Sequence, residues 1–111
     1  MKSRFEVVDC RGYKIVCSDE NWCDKILGAR PYMKEWEEIE KKALISPSFI
    51  CTNLKPSKNR EVYYMFHNYK NNKYIKVVVK FNKEKFGNVI SAFPTDGGKE
   101  GETIIWTPSS N

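Results

Sequence analysis

Six side chains in the second half of the chain are of the types that act on a phosphodiester: Arg60, Tyr63, His67, Lys76, Lys80 and Ser91. Metal-independent cleavage of RNA uses the substrate's own 2′-OH as nucleophile. The protein must then help remove that proton, protonate the leaving 5′-oxygen and hold the negative charge on phosphorus. Histidine is the side-chain type suited to proton transfer near neutrality, and the chain has one, His67, which excludes a two-histidine mechanism within it. Lysine and arginine supply charge stabilisation, and a tyrosine such as Tyr63 serves as an acid or as a stacking surface for a base.

These residues need a sheet to hold them. The stretch from Lys73 to Thr95 reads as a β-hairpin built on the longest β-branched run of the sequence. From Tyr74 to Phe81 the alternation sends Ile75, Val77, Val79 and Phe81 one way and Tyr74, Lys76, Val78 and Lys80 the other. The first set demands burial. The second puts two lysines on one face, a pattern suited to an open sheet surface that meets an anion. The return strand, Asn88 to Phe93, carries Ser91 beside this ladder. A half-solvated antiparallel sheet with ordinary surface lysines accounts for the same pattern with no function attached.

Arg4 to Asp9 and Tyr13 to Cys17 read as strands around an Arg11-Gly12 turn. Ser18 then suits an N-cap, and a first helix is expected over Asp19 to Leu27, with Trp22 and Ile26 on one face and Gly28 as the stop. A second helix is expected from Pro31 to Ile45. Its apolar stripe is Tyr32, Trp36, Ile39, Ala43 and Leu44, its glutamates are solvated, and Ser46-Pro47 ends it. Phe49 to Thr52 is a short strand, 53 to 59 a polar loop, and Glu61 to Asn68 the next strand. Asn71-Asn72 and Gly97-Gly98 mark turns, and Thr103 to Trp106 a final edge strand.

Helices early and strands late predict an α+β domain spanning residues 1–111. Two N-terminal helices would pack on one face of an antiparallel β-sheet, leaving the opposite face open and basic. Of the two sets on the strand before the hairpin, Val62, Tyr64 and Phe66 make the better core face. That choice assigns Tyr63 and His67 to the open face with Lys76 and Lys80.

Composition agrees with one globular domain: 41% hydrophobic and 30% charged residues, with a net charge of +5. The charge is uneven. Residues 53–85 carry nine Lys and Arg against Glu61 and Glu84 alone, so the positive field belongs to the sheet half and a phosphate-bearing partner follows, which for the cleavage chemistry above is RNA, tRNA included. No apolar run approaches the roughly 18 residues of a membrane span and no signal-peptide core is visible, which predicts a cytoplasmic chain with no membrane partner. Cys10, Cys17, Cys23 and Cys51 form no CxxC pair and lie far from His67 in sequence. The expectation is no metal site and no cofactor, with the thiols reduced and acting as small buried hydrophobes.

The segment NWCDKILGARPYM, the acidic helix, the Ser-Pro stop, the aromatic strand, KVVVKF and NVISAF together resemble small toxins borne by phages and mobile elements. These belong to the barnase/EndoU/colicin/RelE-like (BECR) nuclease fold. The resemblance runs from about Ile15 to Phe93. It implies a toxin-like ribonuclease, a hydrolase, with Lys80 matching the lysine of the VVVK-like strand and Ser91 replacing a threonine. Lys25 and Arg30 stand where the pattern has two histidines, preserving positive charge while removing acid–base groups. The resemblance implies Lys25, Arg30, Lys80 and Ser91 as catalytic, and strand phase adds His67. Arg60, Tyr63 and Lys76 are the RNA-binding set. An antitoxin or immunity protein is a further partner of such toxins. The alternative is a catalytically degenerate RNA- or protein-binding module on the same scaffold, such as a phage-encoded inhibitor of host defence.

Overall fold

Seven strands join in one sheet: β1 (Ser3–Val8), β2 (Lys14–Ser18), β3 (Phe49–Thr52), β4 (Arg60–Tyr69), β5 (Asn72–Lys83), β6 (Phe86–Thr95) and β7 (Thr103–Trp106), in the order β1-β2-β6-β5-β4-β3-β7. The computed structural model describes residues 3–52, 59–69, 72–97 and 101–109. Residues 53–58 of the expected loop over 53–59, the turn residue Asn71 and Gly98 lie outside these. Gly12, at φ +86°, makes the β1–β2 turn in a conformation that side chains rarely adopt.

The architecture departs from two helices on an antiparallel sheet. Strand makes up 53% of the structure, and the helical part among the described residues is two short segments, the longer of 15 residues. The sheet is mixed, because β2 runs parallel to β6, with Lys14 opposite Phe86 and Val16 opposite Asn88. A parallel pairing between segments some 70 residues apart leaves no local mark in either strand. The first helical segment is π-helical over Asn21–Leu27, the amide of Gly28 reaching back five residues to Cys23 at 2.9 Å. The second begins as a 3-10 segment, Pro31–Trp36, and becomes α-helical only in α1 (Glu37–Ile45). No helix among the described residues is long and apolar enough to cross a membrane.

On one face of the sheet lies the main core. Ile75, Val77 and Val79 of β5 are fully buried there with Trp22, Ile26, Met33, Ala43 and Leu44. The β4–β5 register sets Tyr63 opposite Val77 and Met65 opposite Ile75, and directly opposed residues share a face. Tyr63 and Met65 are therefore core residues, which reverses the expected phase of β4. The phenol makes this tolerable. Tyr63 donates to the carboxylate of Asp9 and accepts from Arg11 at 2.8 Å, so its one polar atom is satisfied indoors.

The second face is not open. Cys51, Val62 and Tyr64 are buried on it beneath Phe49, Tyr74 and Val78, a small second core. Cys17 and Cys51 are buried free thiols as expected of small hydrophobes, but Cys23 is exposed.

Candidate nucleic-acid interface

Residues of β4, β5 and β6 that stand opposite one another place Arg60, Val62 and Tyr64 beside Lys80, Val78 and Lys76, with Ser91 and Phe93 beyond. The column at one end is aromatic. Phe49 stacks on Tyr64 with ring centroids 4.9 Å apart, and Tyr74 meets Tyr64 edge-on at 6.1 Å. Lys76 Nζ lies 5.7 Å from the Tyr64 ring centroid and 5.4 Å from that of Phe93. Arg30 Cζ, from the junction of the helical segments, lies 4.2 Å from the same Phe93 ring. One ring thus gathers two cations, an arrangement that aromatic quadrupoles favour.

Lys76 is not the solvent-facing residue that alternation suggested. Its side chain is 5% exposed and its ammonium stands 3.8 Å from the Glu102 carboxylate, itself 6% exposed. Tyr64 donates its phenol proton to the other oxygen of Glu102 at 2.6 Å. The residue before β7 therefore caps this part of the face with a buried carboxylate, because a desolvated ammonium needs a counter-charge.

The other end of the face is cationic and more open. Arg60 and Lys80 are directly opposed across β4 and β5, and Lys80 is paired on its other side with Asn88 of β6. Lys80 is exposed. Arg60 Nε is buried and has no hydrogen-bond partner among the described residues. Like charges directly opposite in a sheet are destabilising, and a buried guanidinium N–H left unbonded adds to that cost.

Five of the eight anticipated residues gather on this face: Arg30, Arg60, Lys76, Lys80 and Ser91, the last half-buried opposite Val78. Lys25 is exposed on the π-helical segment, which packs along β6. Tyr63 and His67 are on the other side of the sheet. His67 meets the Trp36 ring edge-on at 5.4 Å, and Tyr63 is sealed in the core. Burial, and then the hydrogen bond to Asp9, push the Tyr63 phenol well above its ordinary value, so it stays protonated at neutral pH. Around it Arg11 bonds Glu61 at 2.7 Å and lies 4.3 Å from the Tyr13 ring centroid, a cluster that ties the β1–β2 turn to β4.

Three residues of the site were not anticipated there: Phe93 and Glu102 carried no functional assignment, and Tyr64 was expected in the core. The Tyr63-Tyr64 pair held a usable signal, since adjacent strand residues face opposite ways and one tyrosine had to reach each face. Glu102 held none, because its partners are 26 and 38 positions away. Fold and site together define a mixed-sheet domain with an aromatic and cationic face. Set against protein-family models, curated proteins and solved structures, the chain matches none.

Proposed function

We propose that the chain is a metal-independent ribonuclease that receives RNA on the second face of its sheet. The observation that carries this reading is the Arg60–Lys80 pair: two opposed cations, one with an unbonded buried N–H, are stabilised by an anion placed between them. A phosphate of RNA is such an anion. The rings of Phe93 and Tyr74, both half-buried, offer stacking surfaces for bases at the other end.

In the reaction the 2′-oxygen attacks phosphorus and the P–O5′ bond breaks, leaving a 2′,3′-cyclic phosphate and a 5′-hydroxyl. Arg60 and Lys80 stabilise the charge on the phosphorus oxygens, Arg30 beside Phe93 meets a neighbouring phosphate, and Lys76, buried with Glu102, holds the aromatic end in place. The 2′ proton passes to water, and Lys80, exposed at the open end, protonates the leaving oxygen. Ser91, between the two cationic groups, donates to a non-bridging oxygen. His67 takes no part, as it belongs to the other side of the sheet.

Incubation of the purified chain with total RNA and tRNA in EDTA, with end-group analysis of the products, tests the reading. Cyclic phosphate ends are expected. RNA left intact with and without added metal would overturn it. The near-complete burial of Lys76 and Glu102 favours a second reading, an RNA-binding module that does not cut. Salt-sensitive RNA binding without products would select that one.

A further inference from the structure

Beside Lys80 lies a cavity of about 300 Å³ that the phosphate chemistry above does not use. Three asparagines line it, Asn21, Asn82 and Asn88, together with Ser18 and Glu20. They come from the end of β2, the start of the π-helical segment, and both strands of the β5–β6 hairpin. Its apolar element is Ile90, which sits where the β5–β6 register slips between the Val78–Ser91 and Val79–Val89 pairs. Such a bulge re-aims a side chain without ending the sheet.

We infer that this cavity is a nucleobase subsite that prefers bases bearing an exocyclic amino group; the inference rests on the ribonuclease reading and names the part of RNA that sits next to the bound phosphate. Side-chain amides both donate and accept, so they match the mixed edges of heteroaromatic bases, where a purely cationic pocket would not. Ile90 supplies an apolar wall for a base plane. The volume is at the lower end of small-ligand sites and suits one base with part of its ribose. Lys80 lies at the cavity's border and on the cationic face, so one residue links base and phosphate. Asn21 is already fixed: its side-chain N–H donates to the Val89 carbonyl at 3.0 Å, and its backbone N–H donates to Ser18 Oγ at 3.1 Å. Selectivity comes from Glu20, an acceptor-only carboxylate that rewards the amino groups of guanine, adenine and cytosine and finds no such group on uracil.

The test titrates the 3′-monophosphates of guanosine, adenosine, cytidine and uridine into the full chain, following the asparagine side-chain amides by NMR. The amides of Asn82 and Asn88 are expected to shift and saturate with the three amino-bearing nucleotides, and uridine to bind at least about tenfold more weakly. Glu20→Gln should remove that preference, and Asn82→Ala should weaken the amino-bearing nucleotides. Equal affinity for all four nucleotides, or shifts confined to residues away from the cavity, would overturn the subsite. RNA cleavage with no amide shift defeats this inference alone. Amide shifts and base preference in a chain that never engages RNA sustain it as a mononucleotide site and defeat the ribonuclease reading.

Discussion

Arg60 and Lys80 stand directly opposite each other on neighbouring strands, and the guanidinium Nε of the first has no partner among the described residues. Two cations held this way repel unless an anion intervenes, so the pair links a structural penalty to a binding function. Arg60→Ala with Lys80→Ala should weaken RNA binding and reduce the slope of log K against log salt by about 0.7 for each phosphate of a single strand that is no longer neutralised. Stability should hold or rise slightly. Filter binding at several salt concentrations and urea melts check both, and an unchanged slope would remove the phosphate from this end of the face.

Lys76 behaves differently because it is buried with Glu102. Lys76→Ala strands a carboxylate in a desolvated place, and breaking a buried pair in this way costs roughly 3–5 kcal/mol. Lys76→Met combined with Glu102→Gln should recover most of the loss. Chemical denaturation of the wild type and both variants decides. A stable Lys76→Ala chain would mean that the ammonium reaches water in solution.

His67→Ala should leave RNA cleavage within about twofold of the wild type, whereas loss of a general acid or base typically costs roughly 10²–10⁴. The replacement should instead remove the edge-on packing against Trp36, worth about 0.5–1.5 kcal/mol beyond burial. Rate and unfolding midpoint are read on the same preparation. A dead but stable variant would return the proton transfer to His67.

Glu40 on α1 introduces a pH dependence unrelated to RNA. Its carboxyl is fully buried, both oxygens lack a hydrogen-bond partner among the described residues, and burial followed by repulsion from Glu37 pushes it up from 4.5 to about 8. The folded chain therefore keeps a proton that the unfolded chain releases. Stability from this group is fully present below the ordinary carboxyl range, declines by up to about 1.4 kcal/mol per pH unit as pH rises towards 8, and levels off beyond. Glu40→Gln should flatten that decline and stabilise the chain at neutral pH. Urea midpoints at pH 5 and pH 8 measure it, and parallel wild-type and variant profiles would rule the group out.

Several features were legible in the residues because their causes are local. Alternation alone puts Ile75, Val77 and Val79 on a buried face, since successive strand residues must point oppositely. Gly12 marks its turn because positive φ is cheap only without a Cβ, and Pro31 marks a helical start because the N–H it lacks has no partner there anyway. The uneven charge of the second half needed only counting.

What tertiary structure decided is everything that depends on which segments meet. β4 has two faces of similar apolarity, and its phase was settled by the Asp9 and Arg11 groups that satisfy Tyr63 indoors, both from the distant β1–β2 turn. The parallel union of β2 with β6 depends on chain direction, which alternation does not encode. Lys76 reads as a surface lysine until Glu102 arrives from beyond the hairpin to neutralise it. Periodicity states which side chains share a face of their own strand; it says nothing of what that face will touch, and for a polar group the partner determines whether burial is tolerated.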